Sequence, residues 1–272
     1  MIRLGLVGYP LEHSFSPILH QAAFQACDLQ GEYLLYPVAP DDTSALAHLL
    51  NRVRTRELTG LNVTIPHKQA VIRFLDELTP IARAVGAVNT VYLRDGKLCG
   101  DNTDARGFLT DLRQFLSIPS SSIIFGAGGS ARAVTYALRS VGCRVIVVAR
   151  RIEAAQELAA QFKNVGVVKL NLQTFQPSNV DLIVNATPVG MFPNVDQSPW
   201  PSNVSFPEDT AVYDLIYNPR ETLLVRQARA AGLKAITGLG MLIEQAALSF
   251  ELWTGFNIPR GVMFDAFQQT VH

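Results

Sequence analysis

One lysine occupies a position where an acid–base catalyst could lie. The 272-residue sequence contains 23 Lys and Arg residues, and only five of them are lysines. Lys68 is one of these, and it closely follows the strand-like run "LNVTIP". An ammonium can lose its proton when its surroundings shift its pKa, whereas a guanidinium stays charged. Lys68 is therefore a candidate for proton transfer, and the alternative is a surface lysine at the start of a helix.

Polar side chains follow several strand-like runs in the first part of the chain. They are Ser14, Ser16, Thr64, Asn89, Thr90, Asp101, Asn102 and Asp104. Open α/β sheets bind ligands at the ends of their strands, so we expect these residues to share one edge of a sheet. Hydroxyls, amides and carboxylates suit a small polyhydroxylated substrate. Each residue alone also fits an ordinary turn or cap, and Ser16 before Pro17 predicts a helix N-cap.

A glycine-rich turn predicts a dinucleotide site. The run "GAGGSA", from Gly126 to Ala131, follows the apolar run "SSIIF" and precedes the helical pattern "RAVTYALRSVG". It fits G-x-G-x-x-[GA], in which Gly126 permits the tight turn and Gly128 lets backbone N–H groups approach a pyrophosphate. The helix N-terminus adds partial positive charge. The alternative is a turn that is glycine-rich for packing alone, and no GxxxxGK[ST] pattern indicates ATP hydrolysis.

The next strand-like run, "VIVVARR", indicates which dinucleotide binds. Proteins that prefer NAD usually carry Asp or Glu at the end of this strand, where the carboxylate binds the ribose 2′-hydroxyl. This chain has Arg150 and Arg151 there and no carboxylate. Guanidinium groups suit a 2′-phosphate. The sequence therefore predicts NADP as the cofactor.

These residues need two α/β units to position them. Strand-like runs alternate with helical patterns, which predicts βαβ units and a mostly parallel sheet in each half, with the break between Gly100 and Ser121. In the first half we predict strands over 2–8, 32–39 and 58–66, helices over 18–29, 46–54 and 68–78, and a hairpin over 88–104. In the second half we predict strands over 121–125, 143–151, 180–188, 211–217 and 234–238, and helices over 132–142, 152–162, 221–232, 241–255 and 260–271.

Composition excludes several classes of protein. The chain is 48% hydrophobic and 17% charged, which is typical of a globular protein, and its zero net charge argues against nucleic-acid binding. The three cysteines are far apart and odd in number, which favours a reducing compartment. No run resembles a signal peptide or a membrane span. We expect a cytoplasmic protein that binds small molecules and no metal, because its five histidines are scattered: His13, His20, His48, His67 and His272.

Several motifs together resemble one family. The runs "SFSP", "LNVTIPHK", "GAVNT", "GDNTDARGF", "GAGGSARA", "NATPVGM", "YDLIYNP" and "GLGMLIEQA" resemble shikimate dehydrogenase, from Gly8 to about Leu248. The resemblance implies an N-terminal substrate domain (1–104), a Rossmann-like NADP-binding domain (105–239) and C-terminal helices (240–272) that return to the first domain. It also implies NADPH-dependent, reversible reduction of 3-dehydroshikimate to shikimate, a step of aromatic amino-acid biosynthesis.

The resemblance further implies roles for individual residues. Lys68 matches the catalytic lysine of the family and Asp104 matches its partner carboxylate. Other matches concern substrate groups, with the carboxylate bound by Ser14, Ser16 and Tyr217, and the ring hydroxyls by Thr64, Asn89 and Gln245. The cofactor positions are Gly126, Ala127, Gly128, Gly129 and Ser130 for the diphosphate, Ala149, Arg150 and Arg151 for the 2′-phosphate, and Leu215, Gly238 and Met241 beside the nicotinamide.

Two departures and two alternatives accompany this resemblance. Ala149 stands where many members carry Asn, and Phe15 separates the two serines where shorter or polar residues are common. One alternative is a quinate/shikimate dehydrogenase with broader cofactor use, which Arg150 and Arg151 disfavour. The other is a non-catalytic NADP-binding sensor, which the presence of both Lys68 and Asp104 disfavours. The sequence leaves the oligomeric state open, with a homodimer as one candidate.

Overall fold

The computed structural model describes residues 1–170, 177 and 179–270, and it divides into two compact units. The first unit comprises Met1–Gly107 and the chain from Ile243 onward, and the second comprises Phe108–Leu242. The sequence predicts domain boundaries after residues 104 and 239, and the structure divides the chain after residues 107 and 242. Among the described residues, no helix is long and apolar enough to cross a membrane.

Strands and helices alternate along most of the chain. The strands are β1 Ile2–Gly8, β2 Gly31–Pro37, β3 Gly60–Val63, β4 Glu77–Leu78, β5 Thr90–Arg94, β6 Lys97–Asp101, β7 Ser121–Phe125, β8 Arg144–Ala149, β9 Val165–Lys169, β10 Leu182–Asn185, β11 Ala211–Asp214 and β12 Ala235–Thr237. The helices are α1 Ser16–Ala26, α2 Thr43–Arg54, α3 Pro80–Val85, α4 Asp104–Phe115, α5 Gly129–Ser140, α6 Ile152–Ala159, α7 Leu223–Ala230, α8 Leu239–Thr254 and α9 Arg260–Thr270. A short 3₁₀ helix covers Ala70–Phe74.

The first unit contains a mixed sheet whose strand order is β2-β1-β3-β5-β6-β4. Strand β1 pairs in parallel with β2 and β3, whereas β3 and β5 are antiparallel, as are β5 and β6. The register pairs Asn62 near the end of β3 with Thr90 at the start of β5, and Thr90 with Asp101 at the end of β6. The carboxyl ends of β1, β3 and β6 therefore share one edge of the sheet with the start of β5.

The second unit contains a parallel sheet in the order β12-β11-β10-β7-β8-β9. When the strands are numbered within the unit and read from β9 to β12, this is the 3-2-1-4-5-6 order of a Rossmann fold. The order reverses between β7 and β10, which pair in parallel with Phe125 opposite Asn185. Ligands bind at such a reversal, outside the carboxyl ends of the strands. The glycine-rich turn follows Phe125 directly, so it lies at this switch point.

Each unit has its own apolar core because its elements bury one face. Helix α2 shows how the sequence directs this: Leu46, Leu49, Leu50 and Val53 recur at helical spacing and are buried against the first sheet. Its N-terminus is capped by Asp42, whose Oδ1 accepts a hydrogen bond from the Ala45 N–H at 2.8 Å. One core cluster of the second unit contains residues from β7, β8, β10, β11, β12 and α7 together with Val180 and the buried Trp200.

The helix predicted over 68–78 is wrong. The structure has a turn through Lys68, the 3₁₀ helix and then β4, which pairs in parallel with β6. Asp76 prevents a continuous helix, because its N–H donates to Leu98 O at 2.9 Å and its Oδ2 accepts from the Leu98 N–H at 2.7 Å. Pairing with a distant strand thus outweighs local helix propensity.

Other predictions have mixed outcomes. The hairpin about Asp95-Gly96 is confirmed, with φ values of 52° and 76° in its turn, but it ends at Asp101, and the chain then forms the unpredicted helix α4. Helix α3 and strand β9 were also not predicted. The N-cap prediction for Ser16 is wrong, because Phe15 is the N-cap of α1. Val271, the predicted end of the last helix, and His272 lie outside the described residues.

Candidate active site

Lys68 and Asp104 form a buried ion pair in the first unit. Lys68 Nζ lies 2.7 Å from Asp104 Oδ2, and the two side chains are 11% and 5% exposed. A buried charge is unfavourable unless a partner compensates it. The alternative of a surface lysine at a helix start is wrong, because Lys68 is buried and paired.

A rigid turn positions Lys68 after β3. The Thr64 N–H donates to Val7 O at 2.9 Å, and Thr64 O accepts from the His67 N–H at 2.9 Å, which closes the turn. The buried His67 ring contacts Val38 O through Nε2 at 2.7 Å, so this histidine is anchored to the backbone. Lys68 O accepts from the Val88 N–H at 2.7 Å. The backbone is therefore fixed on both sides of the lysine.

Asp104 begins helix α4 and is held from a second direction by Asn89. Asn89 Nδ2 donates to Asp104 Oδ1 at 2.9 Å, while Lys68 contacts the other carboxylate oxygen. Asn102 supports the same helix start, since its Oδ1 accepts from the Ala105 N–H at 3.1 Å and its Nδ2 donates to Ala87 O at 2.9 Å. Asp104 is thus an oriented acceptor for the lysine.

The other predicted substrate residues of the first unit lie near the ends of its elements. Ser14 Oγ accepts from the Ser16 N–H at 3.3 Å, so the two serines share one turn after β1. The Phe15 ring between them packs edge-on against Phe267 of α9, with centroids 4.8 Å apart. Gln245 of α8 reaches Asn89, whose Nδ2 lies 3.4 Å from Gln245 Oε1. The structure therefore brings Lys68, Asp104, Asn89 and Gln245 into one connected cluster.

Sequence reasoning missed a group of buried polar residues behind this cluster. They are Asn62, Thr103 and Ser249, together with Thr90, which was named only as a strand-end residue. Asn62 Nδ2 donates to Ser249 Oγ at 3.0 Å, and Thr90 Oγ1 lies 2.8 Å from Ser249 Oγ. Asn62 and Ser249 are 187 positions apart in the chain, so spacing could not reveal the contact. The sequence offered one indication of this buried group, because Asn62 is a polar residue within the otherwise apolar run "GLNV".

In the second unit, the glycine-rich turn has the shape of a phosphate-binding loop. Gly126 has φ of 109°, and a Cβ there would lie 3.0 Å from Ala186 O on the loop after β10. At Gly128, the N-cap of α5, a Cβ would have no described atom within 4 Å, and no side chain caps this helix start. The turn therefore leaves open space at a helix N-terminus, where a phosphate group fits. Ala127, Gly129 and Ser130 complete this loop.

The end of β8 carries the residues expected at a 2′-phosphate. Ala149 is the last residue of the strand, and Arg150 and Arg151 follow it with exposed side chains. Neither arginine forms an ion pair with a described residue. No carboxylate stands at the strand end, so nothing there would repel a phosphate. These residues fit NADP, and they fit it better than NAD.

The remaining predicted cofactor positions follow β11 and β12. Leu215 comes directly after β11, and a Cβ at Gly238 would lie 2.2 Å from Leu215 O, so only glycine permits this close approach. The Gly238 N–H donates to Ile216 O at 3.0 Å. Met241 is buried in the first turns of α8. Tyr217 is half-buried in the second unit, and burial raises the pKa of its phenol.

A second buried aspartate was also missed. Asp214 ends β11, and its Oδ1 accepts from Asn185 Nδ2 at 2.9 Å and from the Ile216 N–H at 3.1 Å. Its Oδ2 accepts from Thr222 Oγ1 at 2.8 Å. Burial raises the pKa of Asp214 to about 7, against the opposing effect of these hydrogen bonds. Unlike Asp104, it forms no ion pair with a cation in the described part of the chain.

No cluster of His, Cys, Asp and Glu residues that could hold a metal ion occurs within the described ranges.

Family models match three segments of the chain. The family model described as "Shikimate dehydrogenase substrate binding domain" matches residues 6–91, "Shikimate / quinate 5-dehydrogenase" matches 114–191, and "Shikimate 5'-dehydrogenase C-terminal domain" matches 238–266. A shikimate dehydrogenase (NADP(+)) from Desulforamulus reducens is 44% identical over 98% of this chain and 94% of its own.

The chain is also similar to solved structures of shikimate dehydrogenases. A shikimate dehydrogenase in complex with NADP+ superposes with a TM-score of 0.89 at 38% identity, covering 100% of this chain and 96% of that one. Shikimate 5-dehydrogenase from Thermus thermophilus, in complex with NADP(H) and shikimate, has a TM-score of 0.88 at 39% identity, with 100% of both chains covered.

The strand order and the glycine-rich turn define the class, an α/β protein with a Rossmann-like nucleotide-binding unit. The matches then define the group within that class, because they span nearly the whole chain at more than 40% identity. The chain belongs to the shikimate dehydrogenase family.

Proposed function

We propose that this chain catalyses the reversible, NADPH-dependent reduction of 3-dehydroshikimate to shikimate, a step of aromatic amino-acid biosynthesis. The observation that carries the proposal is the buried contact of 2.7 Å between Lys68 Nζ and Asp104 Oδ2 at the polar edge of the first sheet. Relatives named shikimate dehydrogenase (NADP(+)) match nearly the full chain, which supports the same activity.

In this proposal Lys68 is the general acid and base. Bound NADPH supplies the hydride that reduces the carbonyl carbon. Lys68 donates a proton from its ammonium group to the carbonyl oxygen, and in the reverse direction neutral Lys68 takes the hydroxyl proton. Asp104 holds the lysine in line, because its Oδ2 accepts from Nζ while Asn89 fixes its Oδ1. Proton transfer of this kind typically contributes ~10²–10⁴-fold to a rate.

Substrate recognition in this proposal comes mainly from the first unit. The hydroxyls of Ser14 and Ser16 bind the carboxylate, with Tyr217 as a third donor. Thr64, Asn89 and Gln245 bind the ring hydroxyls, and Gln245 already contacts Asn89 in the described structure. The cluster thus offers amide and hydroxyl groups beside the proton donor, as a polyhydroxylated acid requires.

Cofactor recognition in this proposal comes from the second unit. The loop from Gly126 to Ser130 holds the diphosphate against the N-terminus of α5, and Arg150 and Arg151 bind the 2′-phosphate beside Ala149. Leu215, Gly238 and Met241 lie beside the nicotinamide.

A rate assay tests the proposal directly. The protein is mixed with NADPH and 3-dehydroshikimate, and oxidation of NADPH is followed by absorbance. The reverse assays use shikimate and quinate, each with NADP and with NAD. Turnover that favours shikimate and NADP is expected. Preference for quinate or NAD would instead support the broader quinate/shikimate dehydrogenase, and no turnover with any pair would support a non-catalytic sensor.

Replacing both arginines tests cofactor choice. The Arg150→Ala/Arg151→Ala variant is expected to raise KM for NADPH by at least about 10-fold, since each charge-assisted hydrogen bond contributes roughly 1.5–3 kcal/mol. KM for NADH should change little, because NADH has no 2′-phosphate. Arg144→Ala, which removes an exposed arginine at the start of the same strand, is the matched control. Equal changes for both cofactors would contradict 2′-phosphate recognition.

We also propose a cytoplasmic location, because Cys27, Cys99 and Cys143 are all free thiols. Assembly as a homodimer is a further prediction, and light scattering of the purified protein measures it.

A further inference from the structure

The buried hydroxyls behind Asn89 form a hydrogen-bonded chain that ends at the candidate catalytic pair. We propose that Thr90 and Ser249 are positioning residues, which act through the Asn89 side-chain amide to keep Asp104 an acceptor for Lys68. This inference rests on the proposed function for its kinetic consequences. The geometry itself comes from described residues of the first unit alone.

The Asn89 amide has one favourable orientation because both of its ends are matched. Its Oδ1 accepts from the Thr103 N–H at 2.8 Å and from Thr90 Oγ1 at 3.0 Å. Its Nδ2 donates to Thr103 Oγ1 at 2.8 Å and to Asp104 Oδ1 at 2.9 Å. A flipped amide would place its oxygen against the carboxylate and its N–H groups against a backbone N–H. Asp104 Oδ1 must therefore accept, which leaves Oδ2 for the lysine.

The hydroxyl of Thr90 supplies one of the two donors to Asn89 Oδ1. A hydroxyl has a single hydrogen, so when Thr90 donates to Asn89 its contact with Ser249 must run the other way. Ser249 Oγ, 2.8 Å from Thr90 Oγ1, is then the donor in that contact. This is the arrangement that gives Asn89 Oδ1 both of its donors.

The far end of the chain of hydrogen bonds is fixed by Asn62. Its Nδ2 donates to Ser249 Oγ at 3.0 Å. The single hydrogen of Ser249 has two acceptors within reach, Gln245 O at 2.9 Å and Thr90 Oγ1 at 2.8 Å. Gln245 O also accepts from Thr103, so we assign the hydrogen of Ser249 to Thr90. Asn62 Oδ1 accepts from the Tyr33 hydroxyl at 2.8 Å, which fixes the orientation of that amide too. Thr103 Oγ1 donates to Gln245 O at 3.1 Å and so uses its hydrogen elsewhere. In this arrangement each group donates a hydrogen bond to the next, from Tyr33 through Asn62, Ser249, Thr90 and Asn89 to Asp104.

All of these groups are buried, so water does not replace a missing partner. Asn62, Asn89, Thr90, Thr103 and Ser249 are each at most 4% exposed. An unsatisfied polar group at such a site is unfavourable, and partly satisfied networks lose their defined orientation.

Thr90→Val and Thr90→Ser test the proposal together. Valine preserves the shape and removes the hydroxyl, whereas serine keeps the hydroxyl. Loss of one net hydrogen bond predicts a fall in kcat of about three- to tenfold for Thr90→Val. Thr90→Ser should keep near-normal kcat, and KM for NADPH should stay unchanged in both. Ser249→Ala should lower kcat by a similar or smaller factor.

A control and a second measurement separate positioning from a general loss of structure. Thr210→Val in the second unit removes a buried hydroxyl that donates to Val180 O, so it should lower Tm without lowering kcat. The Asn89 side-chain amide, labelled with ¹⁵N and assigned by its loss in Asn89→Ser, should exchange hydrogen at least about tenfold faster in Thr90→Val than in Thr90→Ser.

Normal turnover and unchanged exchange in Thr90→Val would overturn the proposal, as would equal losses in Thr90→Val and Thr90→Ser. If Thr90→Val does not fold, Ser249→Ala is judged by the same two measurements. A wild-type protein without dehydrogenase activity would overturn the proposed function, and the exchange measurement would still decide whether the hydroxyls orient Asn89.

Discussion

The two units each bury an aspartate at the end of a strand or the start of a helix, and they compensate it differently. Asp104 in the first unit accepts from the ammonium of Lys68 and from the Asn89 amide. Asp214 in the second unit accepts from neutral groups, namely Asn185, Thr222 and the Ile216 N–H. Burial raises the pKa of Asp214 to about 7.

The difference is consistent with the chemical role proposed for Asp104 and with an architectural role for Asp214. A carboxylate beside an ammonium can orient a proton donor, which is what a dehydrogenase needs at its substrate. A carboxyl group among neutral donors connects the ends of β10 and β11 with the start of α7 and can hold those loops in place. Burial of an acidic residue therefore does not by itself indicate a catalytic site, and the role proposed for Asp104 rests on its cationic partner.

The largest expected effect comes from removing the cation of the first pair. Lys68→Met leaves Asp104 buried among neutral donors, as Asp214 is. We expect kcat to fall by ~10²–10⁴-fold, because the proton donor is lost. We also expect the free energy of unfolding to fall by about 3–5 kcal/mol, because a buried charge loses its partner. Steady-state kinetics and urea titration at pH 8 measure the two effects.

The matched control for that variant is Lys97→Met. Lys97 pairs with Glu77 at the surface, where its side chain is 57% exposed. Exposed pairs contribute little to stability because water screens them, so both turnover and unfolding should change little. If Lys68→Met kept near-normal kcat, Lys68 would not be the proton donor, and the proposed difference in role between Asp104 and Asp214 would be wrong.

The second expected effect is a loss of stability between pH 5 and pH 8 that belongs to Asp214. Its pKa is about 7 in the folded chain against an ordinary value of 3.8, so the folded state binds the extra proton. The stabilisation is present at low pH and is lost as pH rises through 7. Between pH 5 and pH 8 this amounts to roughly 3 kcal/mol. Urea unfolding of wild type and Asp214→Asn across that range measures it.

Asp214→Asn should flatten this dependence because asparagine carries no proton to lose. Asp209→Asn, at an exposed position of the same unit, should leave the dependence unchanged. If the free energies of unfolding of wild type and Asp214→Asn changed in parallel with pH, the pKa of Asp214 would not be raised and the prediction would be wrong.

A smaller effect of opposite sign is expected from His20 in the first unit. Its ring is fully buried and stacks on Tyr33 with centroids 4.2 Å apart, and burial lowers its pKa from 6.5 to about 3. The stabilisation is present above pH 6.5 and is lost as pH falls, by about 1 kcal/mol at pH 5.5. His20→Phe should remove this loss, whereas His48→Gln at an exposed position should not. If the free energy of unfolding of His20→Phe fell below pH 6.5 as much as that of wild type, the prediction would be wrong.

The sequence allowed the second unit to be predicted better than the first. The turn from Gly126 to Gly128 is recognisable because strand, glycines and helix are contiguous. The helix predicted over 68–78 was wrong because β4 pairs with β6 through contacts that local patterns do not contain. Helix α3 could have been found, since Thr79 before Pro80 is a common helix start, and Thr79 Oγ1 does accept from the Ala82 N–H.

The sequence likewise predicted one part of the candidate site and not another. Lys68 and Asp104 were matched through the family resemblance, and the structure brings them into contact. The contacts of Ser249 with Asn62 and Thr90 join residues from opposite ends of the chain, so neither spacing nor propensity predicts them.

The return of the C-terminal helices to the first unit has a consequence for biosynthesis. The second unit is one continuous segment, and all of it has been translated once Leu242 has been added. The first unit needs Ser249 to complete the chain of hydrogen bonds that leads to Asp104, and it needs α9 to pack beside α1. Domains generally fold as units during synthesis. The nucleotide-binding unit can therefore fold on the ribosome first, whereas the candidate catalytic pair acquires its full support only when the last helices have been released.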